Sequence, residues 1–183
     1  WAGEHEAFYW DGYLRMAVLT GDETALARCR EWVEDIINVA HASGYVGIYD
    51  ETTRLPKCGF DGELWTQSRC FQALLGWHEY SGDMRVLEVV SQTVRTTINH
   101  YRTSTYFGRK GLDGGGTHAV AYCDTLEWLF RLTGDRFFAE SAVWLYEDYC
   151  AADLGEKSSD LQIENLEKPE RPIMGHAPHF VEG

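Results

Sequence analysis

A four-residue segment that ends in Gly-Asp occurs three times in this chain, as LTGD at 19–22, YSGD at 80–83 and LTGD at 132–135. Glycine readily takes the left-handed conformation that ends a helix, and aspartate is a preferred capping residue at the start of the next one. Each copy lies between two segments with helical patterning. The repeat therefore predicts three αα-hairpins, each closed by a tight turn.

The apolar residues on both sides of these turns follow helical spacing. In the second hairpin, Phe71, Leu74, Leu75 and His78 recur at i, i+3, i+4 and i+7, which places them on one helix face. Only 45–49 shows a short alternation that could form a strand. We expect an all-α fold, with the first helices of the hairpins over 5–20, 63–81 and 118–133 and the second helices over 22–41, 83–102 and 135–151.

The connections between successive hairpins are long and unlike one another, in contrast to the turns within them. They cover 43–62, 103–117 and 152–175, and the second contains three consecutive glycines at 114–116. Functional residues concentrate on loops of this kind, whereas short turns serve the scaffold. Short links on one side and long variable links on the other are typical of an α/α toroid with one functional face.

The segment 175–179 resembles the start of a fourth hairpin, which the chain does not complete before its last residue, Gly183. We therefore expect residues 1–183 to form a single partial domain. It would contain three αα-hairpins and the start of a fourth, about half of an (α/α)6 toroid of the six-hairpin glycosidase type. Such a half would leave an apolar edge open. The partner expected there is the missing half of the same domain, or a second copy of the chain.

The charge of the chain excludes two classes of binding protein. Its 183 residues contain 16 Lys and Arg against 29 Asp and Glu, a formal net charge of −13. Nucleic-acid binding and polybasic membrane anchoring both depend on clustered Lys and Arg, which this chain lacks. No run approaches the ~18 apolar residues of a membrane span. We expect a soluble protein that binds neither nucleic acid nor membrane.

The five cysteines are dispersed and show no Cys-x-x-Cys spacing. This pattern argues against a disulfide framework or a local zinc knuckle. Four of them fall within helical patterns, where a free cysteine usually behaves as a small buried apolar residue. We expect these four in the core: Cys29, Cys70, Cys123 and Cys150.

Polar and aromatic residues cluster at the predicted start of each first helix, where they would surround one mouth of the toroid. Around the second of these starts lie Asp61, Glu63 and Trp65. A carboxylate accepts hydrogen bonds from sugar hydroxyls and an indole stacks on the apolar face of a sugar ring, so this group is a candidate sugar site. In the structural alternative, Asp61 caps the helix, Glu63 complements its dipole and Trp65 packs inward.

Histidines occupy two further helix starts. His118 follows the glycine run, which could let the backbone approach a sugar or could form a mobile loop. His176 and His179 are three residues apart, so one helix face could present both to a ligand or a metal, or they could serve capping and packing.

Glycosidases commonly use two carboxylates, but the spacing of the acidic residues in the predicted loops selects no pair, and the catalytic residues stay unidentified. The candidate acids on the predicted loop face are Asp61 and Glu63, named above, together with Asp50, Glu51 and Asp113.

An ordered set of motifs over nearly the whole chain resembles glycoside hydrolase family 127 (GH127), the β-L-arabinofuranosidases and their relatives. The motifs are GYVG at 44–47, ELW at 63–65, LLGWHEYSGD at 74–83, LFRLTGD at 129–135 and GHA at 175–177. The resemblance implies an N-terminal (α/α)6 barrel followed by β-sandwich domains. It also implies retaining hydrolysis by a cysteine nucleophile beside a zinc held by glutamate and cysteines.

The same resemblance implies roles for individual residues. His176 matches a family histidine that faces the sugar, and the helix start at Glu63 matches the family's Glu-Leu-Tyr region. Arg69 stands where relatives have a histidine, which leaves open a different pentose or another glycoside as substrate. The family carries its nucleophile and zinc ligands in a Glu-x-Cys element and a Cys-Cys pair. Neither is in this sequence, so no cysteine is assigned to either role.

The leading hypothesis is the N-terminal part of a glycoside hydrolase, which contributes part of a sugar-binding cleft for a carbohydrate substrate. It would lack the catalytic centre, bind no cofactor and be inactive alone, and zinc would belong to the remainder of the parent protein. Two alternatives stay open. One is a sugar epimerase or isomerase in which His118 and His176 move a proton. The other is a non-catalytic helical-repeat module that binds a protein on its concave face.

Overall fold

The computed structural model describes residues 3–55, 62–107 and 115–175. Over these ranges the chain is mostly helical, with no strand and one isolated β-bridge position at Thr105. The all-α fold is confirmed, and 45–49 forms no strand. None of the helices in these ranges is both long and apolar enough to cross a membrane. The helices are α1 (Glu4–Thr20), α2 (Glu23–Ser43), α3 (Glu63–Ser81), α4 (Met84–Arg102), α5 (Gly115–Val120), α6 (Tyr122–Thr133), α7 (Arg136–Ala151) and α8 (Ile163–Leu166), with a 3-10 helix over Glu156–Ser158.

The three Gly-Asp segments are the turns that join α1 to α2, α3 to α4 and α6 to α7, as predicted. Asp22 accepts hydrogen bonds at Oδ1 from the backbone N–H groups of Thr24 and Ala25, at 3.0 Å each. Asp135 caps α7 in the same way through the N–H of Phe137, at 2.9 Å. The preceding glycines have the left-handed backbone that such a turn needs: Gly21 (φ 65°), Gly82 (φ 72°) and Gly134 (φ 68°).

The first helix of the third hairpin differs from its prediction. It begins at Gly115 and not at His118, and it is interrupted at Ala121, between α5 and α6. The N–H of Asp124 bonds back to the carbonyl of Ala121 at 3.3 Å, across the three-residue spacing of a 3-10 turn. Glycines carry no apolar side chain, so the hydrophobic pattern gave no sign that this helix starts within the glycine run.

By its internal contacts the chain divides into two compact units, each with its own buried core. Unit 1 comprises Trp1–Arg54 and Thr66–Asn99, and unit 2 comprises Leu55–Trp65 and His100–Gly183. The single partial domain predicted for 1–183 stays a prediction. The core of unit 1 includes Leu14, Val33, Ile37, Phe71, Leu74, Val90 and Val94, and that of unit 2 includes Tyr101, Tyr106, Leu126, Leu129, Phe138, Leu145 and Tyr149.

An ion-pair cluster links two hairpins within unit 1. Arg85, near the start of α4, donates from Nη1 and Nη2 to the two carboxylate oxygens of Glu34 in α2, at 3.0 and 2.5 Å. Its Nε also donates to Oδ1 of Asp83 in the turn, at 3.0 Å. These hydrogen bonds from Arg85 lower the pKa of Glu34 and the pKa of Asp83 below their usual values.

Candidate functional site

Glu63 is the first residue of α3 and is almost completely buried in unit 2, with 1% of its surface exposed. Its Oε1 accepts a hydrogen bond from the backbone N–H of Leu55 at 3.1 Å, and its Oε2 accepts one from the hydroxyl of Tyr101. A buried carboxylate needs such donors, because leaving it without them costs far more than the bonds themselves contribute. Glu63 therefore ties its own helix to the end of α4, and its predicted contact with sugar stays a prediction.

Trp65 and His118 lie side by side in unit 2, although they are far apart in the sequence. Their ring centroids are 4.8 Å apart and the ring planes meet at 70°, an edge-to-face arrangement. Trp65 is 3% exposed, whereas His118 as a whole residue is half-buried. The structure thus brings together two residues that the sequence proposed separately, one from the start of α3 and one from α5.

Arg69 lies in unit 1 and is 7% exposed. Its Nη1 donates to Oε1 of Gln72 at 3.3 Å, and its guanidinium carbon lies 5.8 Å from the ring centroid of Phe8 in α1. A guanidinium over an aromatic ring is held by a cation–π interaction, which strengthens as water is excluded. Arg69, Phe8 and Gln72 therefore form a polar and aromatic group at the α1–α3 contact.

A cavity of about 290 Å³ opens at the starts of α1 and α3, within unit 1. Glu6 supplies a carboxylate to its lining, Thr66 a hydroxyl group and Trp32 an indole. Trp32 is 8% exposed and stacks on Trp10 at 5.2 Å, and its Nε1 has no hydrogen-bond partner in the described part of the chain. The remaining lining is mostly aliphatic and backbone: Gly3, Ala7, Ile36, Val39, Val46, Gly47, Ile48 and Cys70.

The sequence patterns do not predict this cavity. Glu6 is the lining residue that the sequence could have indicated, because it directly follows Glu4 and His5, two polar residues at the start of the first predicted helix. Trp32 gave no indication of a cavity, since a tryptophan on an amphipathic helix is usually interpreted as a core residue. Thr66 directly follows Trp65, but a single threonine in a helix carries no chemical signature.

The loop after α2 forms a second cavity in unit 1, of about 260 Å³, whose lining includes Tyr45, Asp50, Glu51 and Arg54. Asp50 is turned onto its own loop, where Oδ1 accepts hydrogen bonds from Thr52 at both N–H (2.8 Å) and hydroxyl (2.6 Å). These bonds lower the pKa of Asp50. Arg54 donates to the carbonyl of Ser43 at 2.8 Å and lies over the ring of Tyr45. Internal bonds therefore hold this loop in shape.

The four cysteines in the described ranges are free thiols. Cys29 and Cys70 are buried, as predicted for core residues, whereas Cys123 and Cys150 are only partly buried. Desolvation raises the pKa of Cys70 to about 12 and the pKa of Cys123 to about 12. Such thiols are protonated at neutral pH, whereas a cysteine nucleophile or metal ligand reacts as the thiolate.

The zinc implied by the family resemblance has no counterpart in the described residues. Within 3–55, 62–107 and 115–175, no three His, Cys, Asp or Glu side chains are grouped closely enough to hold a metal ion. These residues do not fit the metal, and no chemical step is derived through it. That this chain binds no cofactor stays a prediction.

Four of the acids and histidines proposed from the sequence lie outside the described residues. These are Asp61, Asp113, His176 and His179. Their roles stay predictions. Gly175, which directly precedes His176, is described, and its N–H donates a hydrogen bond to Oδ2 of Asp160 at 2.6 Å.

Comparison with known proteins tests the family resemblance directly. A sequence model of the family described as "Beta-L-arabinofuranosidase, GH127 catalytic domain" matches residues 1–178, nearly the whole chain. Comparisons with curated proteins and with solved structures found no match. The match confirms the resemblance carried by the motifs at 44–47, 63–65, 74–83, 129–135 and 175–177. The chain belongs to the GH127 β-L-arabinofuranosidase catalytic-domain family.

Proposed function

We propose that this chain supplies part of the sugar-binding cleft of a glycoside hydrolase that acts on β-L-arabinofuranosides. Family membership makes a carbohydrate the substrate class. The observation that carries the proposal is the edge-to-face contact of Trp65 and His118 in unit 2. It joins residues of α3 and α5 at the helix starts where the sequence places the functional face.

The proposed chemistry is recognition of sugar hydroxyls by His118, oriented by Trp65. An imidazole has one nitrogen that donates and one that accepts a hydrogen bond, so it can bind a hydroxyl in either direction. The packed indole of Trp65 restricts the ring of His118, and a restricted side chain loses less entropy on binding. As a whole residue, His118 is half-buried and so is not fully enclosed in the core of unit 2.

The cavity of unit 1 supports the same proposal from a second group of residues. It combines the carboxylate of Glu6, the hydroxyl of Thr66 and the indole of Trp32 with aliphatic walls. Ligand pockets begin at roughly 300 Å³, so a cavity of about 290 Å³ suits a ligand as small as a monosaccharide. Its lining offers both the polar and the apolar contacts that a sugar ring needs.

Under this proposal the residues of this chain bind sugar but do not cleave it. No Glu-x-Cys or Cys-Cys element is present in the sequence. Desolvation raises the pKa of Cys70 and the pKa of Cys123, so at neutral pH these two residues have little of the thiolate form that a nucleophile needs. The family match favours this reading over the epimerase and the helical-repeat module. The chain alone is proposed to be inactive as a hydrolase.

The test is the affinity of the purified chain for methyl β-L-arabinofuranoside, measured by NMR titration. His118→Gln should weaken binding by about tenfold, because glutamine does not reproduce the ring's hydrogen-bond geometry. The matched control is His41→Gln, which changes an exposed histidine near the end of α2 and should leave the affinity unchanged. Equal affinities of His118→Gln and the unmodified chain would overturn the proposal, as would the absence of binding by the unmodified chain.

A further inference from the structure

Glu6 lies where the cavity of unit 1 meets solvent. It belongs to the first turn of α1, it is an exposed residue, and it contributes to the cavity lining. The indole of Trp32 and the hydroxyl group of Thr66 belong to residues that are buried, at 8% and 4% exposure. The lining therefore has a carboxylate on its solvent side and neutral polar groups on residues of the core.

Among the lining residues that the structure describes, Glu6 is the one that carries a formal charge. The thiol of Cys70, in the same lining, has a pKa raised to about 12 and is neutral at ordinary pH. Desolvation is the main cause of this raised pKa, and the negative charge of Glu6 adds to it. The charge of Glu6 therefore acts on a group inside the cavity, and no basic residue of the described lining offsets it.

Apolar walls preserve the effect of this charge. Five of the described lining residues have aliphatic side chains: Ala7, Ile36, Val39, Val46 and Ile48. In a concave site with apolar walls, little water screens a charge and its field is concentrated. The formal net charge of the whole chain, −13, has the same sign. A ligand that carries a carboxylate is therefore repelled both on approach and within the cavity.

Close packing at Gly3 holds the start of α1 in place beside the cavity. Gly3 has φ 81°, and a Cβ atom there would lie 2.5 Å from Cγ2 of Ile48 and 2.8 Å from Cγ2 of Thr66. Its carbonyl accepts the N–H of Ala7 at 3.0 Å, in the first turn of α1. The loop after α2 and the start of α3 are thus packed against the turn that carries Glu6. A site whose backbone is already fixed loses less entropy when a ligand binds.

We infer that Glu6 is a specificity-determining residue of this cavity, because its carboxylate accepts a hydrogen bond from a neutral sugar and repels a sugar acid. The inference rests on the proposed function, which gives the cavity a sugar as its ligand. An ionised carboxylate only accepts hydrogen bonds, so it complements a sugar hydroxyl, which can donate one. A ligand carboxylate has no proton to donate at neutral pH and has the same charge as Glu6. The ligand class is therefore a neutral sugar, and uronates are excluded.

The experiment compares two ligands that differ in one group. One is methyl β-L-arabinofuranoside, and the other is the same glycoside with its primary alcohol oxidised to a carboxylate. NMR titration at neutral pH and low salt gives both affinities, with the indole of Trp32 and the methyl group of Thr66 as reporters of the cavity. The unmodified chain should bind the neutral sugar about tenfold more tightly than the sugar acid. This preference should weaken as the salt concentration rises, since ions screen charge repulsion.

Glu6→Gln should change the two affinities in opposite directions. The amide oxygen still accepts a hydrogen bond but has no charge, so the neutral sugar should bind several-fold more weakly and the sugar acid more tightly. Glu6→Lys should reverse the preference, because the ammonium group attracts the carboxylate. The matched control is Glu23→Gln, which removes the same charge from the exposed first turn of α2, outside the described lining. It should leave both affinities unchanged.

The ratio of the two affinities separates ligand recognition from a structural role of Glu6. An acidic residue in the first turn also stabilises a helix through its dipole, and loss of that effect would not change the two affinities in opposite directions. An unchanged ratio in Glu6→Gln would overturn the inference, as would reporters at Trp32 and Thr66 that do not shift while the neutral sugar binds. If His118→Gln weakens neutral-sugar binding under the same conditions, such a result contradicts the role of Glu6 and leaves the proposed function standing. Absence of sugar binding by the unmodified chain would overturn both.

Discussion

The hydroxyl group of Tyr101 donates a hydrogen bond to Oε2 of Glu63, and both side chains are almost completely buried. The other oxygen of the same carboxylate accepts the N–H of Leu55. A single acidic side chain at the start of α3 thus connects the last turn of α4 with the residue at which the first long connection enters unit 2. Glu63, which the sequence proposed as a sugar ligand, is thus held in place by two hydrogen bonds from protein groups.

Replacement of Tyr101 by phenylalanine should destabilise the protein. The ring would keep its edge-to-face contact with Tyr106 at 4.9 Å, but Glu63 would lose a buried donor. We expect a loss of about 1–3 kcal/mol in the free energy of unfolding, measured by urea denaturation. Tyr9→Phe, at a tyrosine that is 56% exposed, is the control and should change little. A Tyr101→Phe variant as stable as the control would contradict the structural role of this pair.

The Arg85 cluster predicts a dependence of stability on acid pH. The pKa of Glu34 and the pKa of Asp83 are lowered in the folded chain by their hydrogen bonds to Arg85. Their contribution is present above the ordinary carboxyl pKa of about 4 and is lost as the pH falls through the lowered values, where the unfolded chain binds more protons. Arg85→Gln should therefore reduce Tm at neutral pH and flatten its decline in acid.

The control for this measurement is Arg131→Gln, which removes the same charge from the exposed surface of α6. Its Tm should follow the unmodified chain at each pH. Thermal melts of the three proteins across the acid range supply the comparison. Parallel curves for Arg85→Gln and the unmodified chain would argue that the cluster does not link the two hairpins energetically.

Two glycine substitutions should have opposite effects on stability. Gly134 closes the third turn with φ 68°, a conformation that costs an alanine about 1 kcal/mol or more. Gly12 lies within α1, and a Cβ added there meets no atom within 4 Å. Gly12→Ala should stabilise the chain by about 0.5–1 kcal/mol, since glycine is a poor helix former. Chemical denaturation of both variants tests the assignment of these positions, and equal shifts of the same sign would refute it.

The buried thiols should resist alkylation while the chain is folded. Burial raises the pKa of Cys70 to about 12, so only a minute fraction is thiolate near neutral pH. After treatment with iodoacetamide at about pH 8, peptides that contain Cys70 should be unmodified, and the same peptides should be fully modified in urea. Rapid modification of Cys70 in the folded chain would show that this thiol is reactive and would contradict its raised pKa.

Local signals in the sequence were enough to predict the hairpins. The Gly-Asp turns are specified by residues that act on their own neighbours, as Asp22 does on the N–H groups of Thr24 and Ala25. The 3-10 helix over Glu156–Ser158 is instead bonded to Arg171, which also pairs with Asp160. These residues lie in an irregular segment whose sequence has no hydrophobic periodicity, so the sequence did not predict their contacts. No local residue type marks the break between α5 and α6 at Ala121 either.

In the candidate site, too, the sequence indicated individual residues but not the contacts between distant ones. Sequence position identified Trp65 and His118, but only folding brings their rings to 4.8 Å. The burial of Glu63 could not be foreseen, since its partner Tyr101 lies on another helix. The cavity lined by Glu6, Trp32 and Thr66 requires α1, α2 and α3 to converge, and no pattern in the sequence links these three residues.

The proposed sugar contact of His118 is tested most directly by the response of its ring to sugar. In a titration of the isotope-labelled chain with methyl β-L-arabinofuranoside, we expect saturable shifts of the His118 ring resonances and of the Trp65 indole that packs against it. The exposed His41 ring should stay unchanged. If the His118 and Trp65 resonances stay constant while the sugar binds elsewhere, or if no resonance responds at all, the contact between these two residues is not part of a sugar-binding cleft.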